Sequence, residues 1–137
     1  MKSLLSIILI LIASITFAQQ ADDIIGKYRL PNNLDVEIYK SGQKYFGKII
    51  ALNNFRDGQI KDIENPDDSK HNDNLIGKII LKDLVFNTKD KQWFNGNIYS
   101  SEKGIIADFK VTDMRETEIE VVASKYVFWR TLEWKKI

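Results

Sequence analysis

The chain has 137 residues, 20 Lys and Arg against 19 Asp and Glu, a net charge of +1, and no cysteine. That balance excludes bulk attraction to nucleic acid or to acidic lipid. The missing thiols exclude disulfide staples, thiolate catalysis and a thiol-linked lipid anchor, while the length suits one domain that buries an adequate core without them.

In chain order, Lys2 supplies a short basic start and residues 4–16 form an uncharged, mostly apolar run. Thr16-Phe17-Ala18 then places small residues at the third and first positions before a cut. Basic start, apolar middle and small-residue end are the parts of a secretory signal. The reading is a signal peptide over 1–18 and a single exported domain, periplasmic or secreted, over 19–137. The rival is an uncleaved anchor, which needs about 20 apolar residues to span a bilayer. The run is shorter than that, and the polar, acidic Gln19-Gln20-Ala21-Asp22-Asp23 follows it. No stable membrane anchor is therefore expected after cleavage. Removal of Lys2 with the signal leaves 19 basic and 19 acidic side chains.

Beyond residue 24 the apolar period is two, the spacing of strands. Ile105, Ala107, Phe109 and Val111 alternate with Ile106, Asp108, Lys110 and Thr112. Ile119, Val121 and Ala123 alternate with Glu118, Glu120 and Val122. Tyr126, Phe128, Arg130, Leu132 and Trp134 alternate with Val127, Trp129, Thr131 and Glu133. Further strands are predicted over 26–30, 34–39, 44–52, 75–81, 84–87 and 92–100, supported by β-branched and aromatic content. Short polar turns such as Ser41-Gly42 and Ser101-Glu102-Lys103-Gly104 separate them. Eight or nine strands joined this way pair with their neighbours as an antiparallel meander, which in a small domain closes into a barrel and removes its exposed edges. A two-sheet sandwich is the alternative.

One predicted connection, 53–74, is long, polar and rich in Asp and Asn. A loop of that length inside a compact domain is usually functional or mobile. Asp62, Glu64, Asn65, Asp67 and Asp68 crowd oxygen-bearing side chains together, as a hard cation would want. The spacing is not that of an EF-hand, and Asn65-Pro66-Asp67-Asp68 is equally good turn chemistry. A structural turn is the favoured reading, so no metal is assigned. Asp62, Asn65 and Asp67 are kept as candidates near a barrel mouth. His71, the only histidine, has no nucleophile and orienting acid set around it in a recognisable motif, so no catalytic residues and no enzyme activity are expected.

The order of several motifs resembles a bacterial family of small exported proteins, domain of unknown function 2147. They are Asp62-x-x-Asn65-Pro66-Asp67, then Trp93-x-x-Gly96-x-Ile98-Tyr99, then Arg130-Thr131-x-x-Trp134. The resemblance runs from about Ile25 to the C-terminus. Where family members carry arginines after Asn-Pro-Asp, this chain has none around His71 and Asp73. An anion-binding role built on those arginines therefore does not carry over. A glycine usual before the closing Arg is Trp129 here, and a tryptophan near the first strand is Tyr28. The resemblance implies an up-and-down barrel similar to the lipocalin and streptavidin group, with Tyr28 packing beneath Arg130 at one end. It implies no settled activity.

Inward aromatics of a small barrel either fill its interior or line one pocket. Tyr28, Trp93, Tyr99, Tyr126, Phe128, Arg130 and Trp134 are the residues expected to line such a pocket. The leading expectation is a monomeric, non-enzymatic binder of a small, partly apolar molecule, without a cofactor and without a nucleic-acid partner. The alternative is a protein-interaction or envelope-stress module acting through outward residues such as Val127 and Trp129.

Overall fold

The computed structural model describes residues 20–137; the expected signal peptide over 1–18 lies outside them. Eight strands form a closed antiparallel barrel in sequence order. They are β1 (Gly26–Arg29), β2 (Asp35–Ser41), β3 (Lys44–Ala51), β4 (Ile79–Asn87), β5 (Gln92–Ser100), β6 (Ile105–Met114), β7 (Glu118–Lys125) and β8 (Phe128–Lys136). The ring closes where β8 pairs with β1, through Tyr28 opposite Lys136 and Arg29 opposite Lys135. The meander is thus a barrel and not a sandwich.

The expected strands over 75–81 and 84–87 are one strand, β4, and Leu75 and Ile76 precede it in the long connection. The apparent break is a bulge. Opposite Tyr45 and Gly47 on β3 stand Leu84 and Leu81, so β4 carries one residue more than its partner. Asp83 absorbs the difference with φ of 62°. An extra residue shifts side-chain parity by one, and both Leu81 and Leu84 consequently point into the core. The same device occurs on β5, where Trp93 and Gly96 oppose Val111 and Phe109 and Asn95 takes φ of 61°. A side chain at Gly96 would meet Leu84 Cδ1 at 2.8 Å and the Phe109 carbonyl at 3.2 Å, so the strands' close approach there requires glycine.

One end of the barrel is sealed. A short 3-10 turn, Ala21–Ile24, crosses it and buries Ile24 completely. Three ring-bearing side chains tie that turn down. Tyr28 Oη donates to the Ile24 carbonyl at 2.7 Å, Trp93 Nε1 to the Ala21 carbonyl at 3.0 Å, and Tyr45 Oη to Asp22 Oδ1 at 2.6 Å. Burial holds the Tyr28 phenol up at about 12, so it stays a neutral donor. Above this plug the lower half of the barrel is packed solid by Val36, Ile38, Val111, Ile119 and Val121.

The other end carries four connections, of which the longest joins β3 to β4. This segment is not loose. Phe55 and Leu75 are fully buried, and Asn53 Nδ2 donates to the Asn33 carbonyl at 2.8 Å. The β5–β6 turn fits against it through Gly104, where φ is 65° and a Cβ would overlap the Glu64 carbonyl. Gly104→Ala is expected to lower stability by more than the roughly 1–2 kcal/mol of a left-handed backbone alone, because the loop must also retreat. A drop in melting temperature larger than that of Gly42→Ala, which has open space around its Cβ site, checks this.

Candidate functional site

Inward positions near the open end are under-filled. On the inner face of β7, Ala123 stands opposite Phe109, one inward pair above the packed Val111–Val121 layer, and Ala107 is the next inward residue along β6. The result is a cavity of about 580 Å³. Trp134 and Phe109, with ring centroids 5.1 Å apart, form its floor. Leu34, Ile80, Ile98 and Leu132 form apolar walls, and Ala107 and Ala123 leave the room. Volumes of this order suit one small ligand.

The rim is polar and unevenly charged. Lys103, Lys125 and Arg130 all border the opening, against one carboxylate, Glu102. Glu102 Oε1 accepts from Asn32 Nδ2 at 2.8 Å. That bond joins the β1–β2 turn to the β5–β6 turn, which lie on opposite sides of an eight-stranded ring, so it bridges the mouth. On one side of the bridge sits the long β3–β4 connection. On the other the mouth opens beneath the β7–β8 hairpin. Asn32 is held in place because its Oδ1 accepts from the Leu34 backbone at 3.1 Å. Ser101 also lines the cavity. It is 2% exposed, and its Oγ has no hydrogen-bond partner among the described residues. A buried hydroxyl left without a partner carries a desolvation cost, so it is a position where a ligand or a water is wanted.

Of the residues expected to line a pocket, Phe128, Arg130 and Trp134 do, and Tyr99 borders it. Tyr28 and Trp93 do not, because their polar tips hold the plug at the sealed end. The ring that meets Tyr28 is Trp134, centroids 6.4 Å apart. Arg130 stands six residues along β8 from the residue paired with Tyr28, about 20 Å away at the rise of a strand. Tyr126 is not the first inward residue of β8. It occupies the two-residue turn between Lys125 and Phe128, with φ of 57°.

Asp62, Asn65 and Asp67 lie in the long connection and line no part of the cavity. Asp62 is fully buried and anchors the loop. Its carboxylate accepts from Tyr99 Oη at 2.7 Å, Asn65 Nδ2 at 2.8 Å and Lys78 Nζ at 3.0 Å. Burial alone would raise its pKa, but the three donors and the Lys78 charge outweigh burial and hold it below the ordinary value. Tyr99 is pushed up in turn by burial and by this carboxylate. Asn65 Oδ1 accepts from the Asp67 backbone, and Asp67 caps the following 3-10 turn through the Ser69 backbone and hydroxyl. The acidic cluster is therefore turn chemistry. His71 Nε2 lies 2.6 Å from the Asn65 carbonyl within the same loop.

Sequence reasoning missed Ser101, Lys103 and Lys125 as site residues. Lys125 was legible in part, since it continues the inward parity of Val121 and Ala123. Ser101 and Lys103 lie in a turn, where parity carries no information.

The family model described as "Uncharacterized protein conserved in bacteria (DUF2147)" matches residues 26–136. Among solved structures, the chain is similar to protein HP1028 from the human pathogen Helicobacter pylori, which belongs to the lipocalin family. The TM-score is 0.72 at 22% identity, covering 83% of this chain and 82% of that one. No curated protein matches. The barrel is thus lipocalin-like in fold.

Proposed function

The chain belongs to the bacterial family DUF2147, and we propose that it is a non-enzymatic binder of one small, partly apolar ligand bearing an acidic group. The observation that carries this reading is the cavity itself: apolar from Trp134 up to Ala123, then cationic at its only polar rim, with the unpartnered Ser101 hydroxyl beside it. Apolar walls would take the body of the ligand, and Arg130, Lys125 and Lys103 would meet its anionic end. Arg130 has no ion pair or hydrogen bond within the described residues, so its five donors are available to a carboxylate, sulfonate or phosphate. Against catalysis stand the buried Asp62, whose oxygens are all engaged, and His71, which lies off the cavity. The basic, apolar, small-residue start of the sequence supports a place of action outside the cytoplasm.

Titration with 8-anilinonaphthalene-1-sulfonate, read by dye emission, tests this reading. The protein is expected to saturate at one dye per chain. Arg130→Gln is expected to weaken binding about tenfold, the worth of one charge-assisted hydrogen bond. The uncharged dye N-phenyl-1-naphthylamine is expected to bind wild type and Arg130→Gln alike. Ala123→Trp, which places an indole in the empty space, is expected to abolish both titrations at an unchanged melting temperature. Dye binding that survives Ala123→Trp sinks the cavity reading.

A further inference from the structure

The β7–β8 hairpin is the least expected part of the surface. Tyr126, Val127, Phe128 and Trp129 are 92%, 76%, 76% and 75% exposed, four consecutive apolar or aromatic side chains in water. Two-residue hairpin turns normally take glycine, asparagine or aspartate, because such turns need a positive φ. Here Tyr126 holds that conformation instead. Local preference is overridden to keep an apolar tip, and such conflicts concentrate at functional sites. The other short turns at this end are polar: Pro31-Asn32-Asn33 and Ser101-Glu102-Lys103-Gly104.

We infer that this tip docks the open end of the barrel onto an anionic lipid bilayer, with the cavity mouth facing the lipid. The inference stands on the hairpin and not on what the cavity holds. Tryptophan and tyrosine favour the headgroup boundary, where a flat apolar ring and one polar atom are both satisfied. A protruding tip suits a soft interface that needs no complementary pocket. The charges around it have the matching sign. Lys125 and Arg130 flank the tip and Lys103 stands across the mouth. On this side the carboxylates are Glu102, engaged by Asn32, and Asp108, which has Lys110 two residues along the same outer face. Glu64, Asp67 and Asp68 belong to the long connection beyond the Asn32–Glu102 bridge. The chain is therefore near neutral overall but cationic where the apolar tip projects, so it would meet an acidic surface hairpin-first.

Trp129 reports on this directly, because Trp93 and Trp134 are buried. The purified protein is mixed with vesicles of phosphatidylcholine containing roughly a third phosphatidylglycerol, whose negative surface potential attracts basic patches. Expected results are co-sedimentation, a blue shift of Trp129 emission and protection of it from acrylamide. Tyr126→Gly/Val127→Asn restores ordinary turn chemistry, so it is expected to fold at least as stably. It should lose vesicle affinity at least tenfold while keeping the naphthalene-dye titration, since neither residue lines the cavity. Lys125→Gln is expected to weaken anionic vesicle binding about fivefold, one surface cation's share. No binding of wild type to anionic vesicles, or equal binding to pure phosphatidylcholine, overturns the inference. So does a wild-type dimer that the double variant converts to monomer, because the tip's occupant is then a second copy. For the wild-type protein, no vesicle binding with an intact dye titration refutes the docking alone, and vesicle binding with no dye titration refutes the cavity reading alone.

Discussion

Asp62→Ala is expected to destabilise the protein by about 3 kcal/mol, the low end of the cost of removing one partner from a buried ion pair. The low end applies because Lys78 retains 19% exposure and can recover some hydration. Three donors lose one acceptor at once: the Tyr99 hydroxyl, the Asn65 amide and the Lys78 ammonium. The loop that Asp62 anchors also packs Phe55 and Leu75 into the core, so the loss should spread beyond the site. The pH dependence follows from the same contacts. Asp62 has its folded pKa lowered from 3.8, so its contribution is fully present above that value and is lost as pH falls through the folded one. Asp35, lowered chiefly by its hydrogen bonds from Arg29, acts in the same sense. Asp62→Asn is therefore less stable than wild type near neutrality, and the gap between them narrows below pH 3.8. Urea midpoints at neutral and acid pH measure this, and a gap constant with pH would refute the role given to the carboxylate.

Trp134→Ala is expected to cost about 3–5 kcal/mol, the range for removing a large buried aromatic. Against a total of about 5–15 kcal/mol for an ordinary domain, that leaves the barrel barely folded. The indole is 1% exposed and touches Phe109 and Tyr28, so it joins the solid lower half to the hollow upper half. Trp134→Phe keeps a ring between those partners and should cost roughly half as much, by the lost transfer of the second ring. Chemical denaturation of both variants checks the order. A loss below about 1 kcal/mol for Trp134→Ala, an ordinary surface-to-intermediate effect, would mean that the indole is no structural floor.

Tyr126 shows why the site was only half legible. In the sequence it continues the alternation of Phe128, Arg130, Leu132 and Trp134, and parity places it inward. The hairpin instead turns through it, against the usual chemistry of turns, and the residue ends up in solvent. Leu84 misleads in the opposite way: a polar Lys82-Asp83 interruption reads as a loop, yet it is a bulge that restores Leu84 to the core. Tyr28 and Trp93 look like pocket aromatics because side-chain type does not say at which end of a barrel a strand begins.

Alternation by itself determined that this chain forms about eight antiparallel strands and which residues of most strands face inward, because the period of a strand is a local property of the backbone. The motif order along the chain pointed to the family. Only the tertiary structure decided that the inward face is filled below Phe109 and empty above it. That depends on the summed volumes of side chains from all eight strands, which no single stretch encodes. The same holds for the long connection, which is pinned by Asp62 to residues far along the chain, and for the one open side of the mouth, where Arg130, Ser101 and the Tyr126–Trp129 tip come together.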